Sequence, residues 1–264
     1  MEWLRKYYHT VFYDRADQRV KDWLFMTSPW PIVAILTTYL LLIKFILPIY
    51  MRNKRPYNLK GVIKSYNVTM IVFNLVVAWG IATSGWTTTY HFGCVLPDYT
   101  TKPEPMRMLT FMWWTLTIKM TELLETAIFL LRKKNQQASF LHVYHHVISL
   151  VMIWCGVKYI GGGMASFPVM INSGVHVVMY CYYLLSADGS PRVKAYLHRY
   201  KKWLTIIQMV QFTILLAHAL QAFLPSCPAP LTIAYMYLPN VLIVYYMFYE
   251  FFKKNYSENH KISK

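Results

Sequence analysis

Apolar runs of about twenty residues, separated by short polar or charged stretches, recur along this chain from Trp30 to Phe252. A run of that length, wound as a helix at about 1.5 Å per residue, crosses the hydrocarbon core of a bilayer. The pattern predicts seven spans, at 31–50, 65–84, 109–131, 139–157, 164–185, 203–224 and 231–252, each boundary placed to about two to four residues. The fourth is the weakest, because three histidines dilute it. The expectation is an all-α, polytopic membrane protein with a single integral-membrane domain over 1–264. Residues 1–30 and the tail 253–264 lie outside the bilayer, and no internal repeat or low-complexity tract interrupts the pattern. No short apolar segment with a small-residue cleavage site precedes the first run, so no cleaved signal peptide is expected.

Composition agrees: 56% hydrophobic residues with 17% aromatic is too apolar for a soluble domain. Charge adds an orientation. The segments 51–64, 132–138, 186–202 and 253–264 hold 5, 3, 5 and 4 Lys or Arg, whereas 85–108, 158–163 and 225–230 hold 2, 1 and 0. Short cytosolic loops carry the excess, so the first set and the C-terminus are placed in the cytosol. Seven spans then put the N-terminus on the other side, even though that segment carries Arg5, Lys6, Arg15, Arg19 and Lys21 beside four acids. The net charge of +16 is gathered on one membrane face, where it meets anionic headgroups or a polyanionic substrate. Nucleic acid is a poor partner for a chain that is mostly membrane. Cys155 and Cys181 fall within spans, while Cys94 and Cys227 fall in two non-cytosolic loops and are expected to pair in an oxidising lumen. The sequons at Asn67 and Asn255 lie in a span or on the cytosolic side, so neither is expected to be glycosylated.

Ionisable groups inside spans carry the functional signal. Span three has Lys119, Glu122 and Glu125; span four has His142, His145 and His146; span five has Asn172 and His176; span six has Gln208, Gln211 and His218. By helical rise, His145 lies roughly 9 Å below the cytosolic boundary, Glu122 and His176 roughly 14 Å, and the two glutamines roughly 8 to 12 Å. Four spans of alternating direction thus set polar groups in one layer. Bland readings exist for several of them. Lys119 and Glu122, three apart, suit an internal ion pair. The glutamines suit interhelical hydrogen bonds, and His218, deeper and alone, suits a satisfied core histidine. Packing alone rarely explains three imidazoles in five residues on one helix face.

H-x-x-H-H is also a box of membrane di-iron desaturases and hydroxylases, but those use several such boxes. Here His9, His91, His198 and His260 fall outside the spans and His218 is isolated. A mononuclear three-His site stays open, although positions i, i+3 and i+4 on one helix rarely converge by themselves. Without metal, neutral imidazoles walled off from water suit nucleophilic or acid/base work. A long acyl chain would fit between the helices, and the basic rim suits the phosphates of coenzyme A. The rival class is a transporter or channel with a polar relay, which predicts inverted repeats and broken helices that the sequence does not display.

Four segments bring a family into view: KMTELLET at 119–126, FLHVYHH at 140–146, NSGVHVVMYCYY at 172–183 and TIIQMVQF at 205–212. In this order they closely resemble the very-long-chain fatty acid elongases, the membrane 3-ketoacyl-CoA synthases, and the seven-span layout agrees over nearly the whole chain. The resemblance implies decarboxylative condensation of a long-chain acyl-CoA with malonyl-CoA in the endoplasmic reticulum membrane, beside the other enzymes of the elongation cycle. It implies no metal or organic cofactor, and a bundle in which six of seven helices surround a narrow acyl pocket.

It also implies roles. His145 is the nucleophile that forms an acyl-imidazole. His142, His146 and Asn172 would stabilise an enolate, and His176, with Tyr182 nearby, would orient the nucleophile or move its proton. Lys119, Glu122, Glu125, Gln208 and Gln211 would line the substrate site, and Lys201 and Lys202, with Arg132 and Lys133, would meet CoA phosphates. Cys155, two and a half turns beyond His146, points away and suits packing. Two departures stand out. Glu125 occupies the place where the family usually has Asp, and the tail HKISK lacks the two adjacent lysines of a retrieval signal.

Overall fold

A computed structural model describes residues 1–229 and 231–257, and every regular element among them is helical. The tail HKISK lies outside the described residues. The helices are α1 (Glu2–His9), α2 (Trp30–Leu41), α3 (Leu47–Met51), α4 (Lys60–Ile81), α5 (Pro103–Glu122), α6 (Leu124–Leu131), α7 (Phe140–Ile160), α8 (Ser166–Asp188), α9 (Pro191–Leu220) and α10 (Leu231–Phe252). Five stretches are long and apolar enough to cross a membrane: Trp30–Met51, Lys60–Trp86, Phe140–Ile160, Gly163–Ala187 and Pro191–Phe223. Of the other two expected spans, one is α5 with α6, whose apolar character is lowered by Lys119, Glu122 and Glu125. The other is α10, 22 residues long with Pro239 inside.

Exposed apolar side chains fit this reading. Val68, Val72, Phe73, Leu75, Val76 and Trp79 of α4 are exposed while Met70, Asn74 and Val77 are buried, so one face of α4 is built for lipid and the other for its neighbours. α4 packs on α5, α5 on α7, α7 on α10, α10 on α9, α9 on α8, and α8 returns to α4. Six helices therefore close a ring. The first span, α2 and α3 joined by a π-helical turn at Leu42–Ile46, stands outside it against α6.

Local chemistry sets the helix ends. Ser139 caps α7 by accepting from the His142 amide, and Ser190, followed by Pro191, caps α9 by accepting from Val193. α7 stops at a triple glycine. Gly162 and Gly163 have φ of 128° and 52°, and a Cβ on Gly163 would stand 2.5 Å from the Leu96–Pro97 backbone. Only glycine fits there.

Two expectations need correction. The third span is not one unbroken helix: α5 ends at Glu122, Leu123 makes a tighter bond from its amide to the Met120 carbonyl, and α6 begins at Leu124. The interruption is the single residue Leu123, between the two glutamates, whose φ of −58° and ψ of −26° stay in the helical region. The stretch 186–202 is not a loop either, because α8 runs to Asp188 and α9 starts at Pro191. Arg192, Lys194, Arg199, Lys201 and Lys202 thus stand on a helical extension, with the capped Ser-Pro start overriding their polarity.

The face opposite this basic extension is closed by a cap. The Arg19 guanidinium pairs with Asp17 at 2.6 Å and donates to the carbonyls of Asp98, Thr100 and Gly161. Indole N–H groups of Trp113 and Trp154 donate to the Leu24 and Phe25 carbonyls, and buried Lys158 donates to that of Met26. The N-terminal segment is thereby tied to the middle of α5, the last turns of α7 and the 87–102 loop. Cys94 of that loop and Cys227 after α9 form a disulfide, Cα to Cα 5.5 Å.

Candidate active site

The polar side chains named from sequence converge between α5, α6, α7 and α8. Glu122, fully buried, is the hub. Its Oε1 and Oε2 accept from Lys119 Nζ at 3.1 and 3.0 Å, and Lys119 Nζ also donates to Asn172 Oδ1 at 3.0 Å. His176 Nδ1 meets Glu122 Oε1 at 2.9 Å. A buried ion pair is tolerable only when its remaining lone pairs and protons find partners, and here Asn172 and His176 supply them.

A second arm centres on Glu125. Its Oε1 accepts from Tyr180 Oη at 2.5 Å and Tyr66 Oη at 3.1 Å, while its Oε2 faces His146 Nε2 at 3.6 Å. The other nitrogen of His146 lies 3.9 Å from Glu122 Oε2 and has no hydrogen-bond partner among the described residues. His146 therefore stands between both carboxylates, within 4.2 Å of the His142 ring and 5.7 Å of the His145 ring, centroid to centroid. A third arm arrives from outside the ring: Tyr39 of α2 bonds Thr126 Oγ1 at 2.8 Å, and Thr126 Oγ1 bonds His142 Nε2 at 3.0 Å.

The three histidines thus differ in surroundings. His142 is held by a hydroxyl and His146 faces two carboxylates. His145 is half-buried and carries neither kind of contact among the described residues. An imidazole left unpaired beside such a set keeps a lone pair for an incoming electrophile.

The remaining expected residues spread away from this centre. Gln208 Nε2 points at Met179 Sδ at 3.7 Å, and Gln211 is buried on the same face of α9. Lys201 and Lys202 are exposed on the α9 extension, about 9 Å along the helix from Gln208. Tyr182 packs on Tyr183 at 5.9 Å; the α8 tyrosine that bonds within the layer is Tyr180, two residues earlier. His218 is buried as expected but not satisfied. Its ring stacks on Phe167 at 4.3 Å, beside Phe92 and Trp86, and its Nε2 lacks a partner among the described residues.

Sequence reading missed Tyr39, Tyr66, Tyr180 and Thr126. Thr126 and Tyr180 lie within motifs already singled out, and helical spacing from Glu122 and His176 places both on the inward faces. Tyr66 lies in a span without charge and Tyr39 in one whose single charge is Lys44, so nothing marked either of them. For metal chemistry, ligand atoms of Glu125, His142 and His146 lie within 4.8 Å of one another, a donor set that a divalent cation could use.

Comparison with known proteins gives a consistent answer. A model described as the ELO: GNS1/SUR4 family matches residues 24–264. The chain is 36% identical over 258 residues to the very long chain fatty acid elongase 7 of Drosophila melanogaster, covering 94% of this chain and 78% of that protein. It is 36% identical over 243 residues to very long chain fatty acid elongase 4 of Mus musculus, covering 92% and 77%. With elongase 1 of Mus musculus it shares 38% identity over 269 residues, covering all of this chain and 94% of that one.

Proposed function

This chain belongs to the ELO (GNS1/SUR4) family of fatty acid elongases, and we propose that its polar layer performs the condensation that adds two carbons to an acyl chain. The substrates are a long-chain acyl-CoA and malonyl-CoA, and the products are a 3-ketoacyl-CoA, CoA and carbon dioxide. The observation that carries this reading is the contrast among the three imidazoles: among the described residues, His145 is the one of the three with no hydroxyl or carboxylate partner.

In the first half-reaction a His145 ring nitrogen attacks the thioester carbonyl carbon. The C–S bond breaks, an acyl-imidazole forms, and CoA leaves as the thiol once a proton reaches sulfur. Lys119, Glu122 and Asn172 fix His176 beside the reacting centre, where it can pass that proton. In the second, malonyl-CoA loses carbon dioxide. The electron pair of the broken C–C bond becomes an enolate, whose carbon attacks the acyl carbonyl and expels the imidazole. N–H donors fixed toward the enolate oxygen lower that barrier, and His142, His146 and the Asn172 amide are the donors at hand. No metal or organic cofactor enters either step.

The acyl chain would lie along the axis of the six-helix ring, in a pocket entered from the basic face. Seven spans, with the basic face and C-terminus on the cytosolic side of the endoplasmic reticulum membrane, complete the proposal. The α9 extension then offers Lys201 and Lys202 to CoA phosphates as exposed charges, and the capped face closes the lumenal end.

The test uses purified protein, a panel of acyl-CoAs and malonyl-CoA labelled in its free carboxyl. Labelled carbon dioxide together with a 3-ketoacyl-CoA, both absent from His145→Ala, is the expected result. A folded protein that makes neither product from any chain length would sink the reading. The Glu125, His142 and His146 cluster favours a second reading, a metal-dependent lipid oxidation. Stoichiometric iron or another transition metal in the purified protein, with no condensation product, would establish that instead.

A further inference from the structure

Two tyrosines from different helices end on one oxygen of one carboxylate. Tyr66 of α4 and Tyr180 of α8 both donate to Glu125 Oε1, at 3.1 and 2.5 Å, and their rings meet edge to face at 6.0 Å. Tyr180 is wholly buried and Glu125 is buried beside it. A carboxylate held through one oxygen by two hydroxyls cannot turn, so the direction of its second oxygen is set. That oxygen faces His146 Nε2 at 3.6 Å, beyond ordinary hydrogen-bond length but within a small side-chain shift of it. The other His146 nitrogen is buried, lacks a hydrogen-bond partner among the described residues, and faces Glu122 Oε2 at 3.9 Å. The imidazole is therefore aimed from both sides without being locked, and it stands 5.7 Å from the His145 ring.

We infer that Tyr66 and Tyr180 are positioning residues: they fix Glu125 so that it orients His146, whose N–H then meets the enolate oxygen in the condensation half-reaction. The inference rests on the condensing function proposed above. It assigns the tyrosine hydroxyls to the second half-reaction because both end on Glu125, whose other oxygen faces His146; the Tyr180 ring also packs edge-on against His176 at 5.9 Å, a contact that Phe keeps. It also accounts for the longer side chain at 125. The carboxylate reaches both hydroxyls and the imidazole at once, and shortening it by one methylene withdraws it from all three.

Replacement of both tyrosines by Phe keeps the packing rings and removes only the hydroxyls. The experiment separates the half-reactions in detergent-purified protein. Free CoA released from acyl-CoA alone, one per enzyme, measures acyl transfer, and 3-ketoacyl-CoA formed on adding malonyl-CoA measures condensation. For the Tyr66→Phe, Tyr180→Phe double variant, acyl transfer should stay within about two-fold of wild type while condensation falls at least about ten-fold. Glu125→Gln should lower condensation at least as far as the double variant does. Tyr66→Phe alone, losing the longer bond, should show the split at smaller amplitude and guards against a double variant that does not fold. A merely structural role would lower both half-reactions together, and that outcome, or no change in either, overturns the inference. If wild-type protein neither releases CoA nor makes product, the condensing function itself fails and the inference with it. A working wild type with no split in the variants defeats the inference alone.

Discussion

The cap and the polar layer both bury charge, and they satisfy it in opposite ways. In the cap, Arg19 and Lys158 end mainly on backbone carbonyls, with Asp17 as the one carboxylate. The carbonyls among these acceptors do not titrate, so the charges serve as ties between the N-terminal segment, the 87–102 loop and the end of α7. In the layer, ionisable side chains meet other ionisable side chains: Lys119 with Glu122, Glu122 with His176, and both glutamates with His146. Each partner can gain or lose a proton, and one nitrogen of His146 is left over. Saturated contacts hold a fold, whereas unsaturated contacts between titratable groups leave room for chemistry.

If that contrast is right, mutations in the two regions should separate activity from stability. The largest effect is expected for His145→Ala: product formation falls more than about 10³-fold with the melting temperature of detergent-purified protein unchanged, since the side chain ties nothing down. A lowered melting temperature would mean that His145 belongs to the scaffold after all. Next comes Lys119→Met, which leaves the Glu122 carboxylate without its cation. It should cost about 3–5 kcal/mol of stability, as unpaired buried charges do, and remove activity too, both visible by thermal melting and product assay on one sample.

The disulfide sharpens the other side of the comparison. Cys94→Ser with Cys227→Ser should lower stability by about 2–4 kcal/mol while turnover per folded molecule stays near wild type. A selective loss of turnover would place the cap within the reaction. The smallest effect is expected at the rim. Lys201→Ala with Lys202→Ala should raise the KM for acyl-CoA about two- to five-fold, and the difference should shrink as salt rises, because exposed charges are screened. A kcat change without a KM change would rule out the phosphate role.

Much of this was legible in the chain itself. The helices and the residues of the polar layer follow from apolar run length and from the rarity of ionisable groups within such runs. Less visible was anything that depends on a neighbour distant in sequence. Tyr39 and Tyr66 look like ordinary aromatic filler until Thr126 and Glu125 are set beside them. The break at Leu123 has no glycine or proline to announce it. The α9 extension was hidden by its charge, because hydropathy marks where a helix enters lipid, not where it begins. The lack of a partner for His218 could not be read at all, since its surroundings come from the Ala82–Trp86 turn, α8 and the 87–102 loop.

The Cys94–Cys227 bond spans 133 residues of chain, and α5 through α9 all lie between its two ends. A protease acting from the basic face, at the 132–138 stretch or at Gly189, would therefore cut the backbone without freeing a fragment. The nicked protein would run as one species on a non-reducing gel and as two after reduction. Limited proteolysis of sealed membranes would then report the sidedness of those loops and the bond itself in a single lane pair.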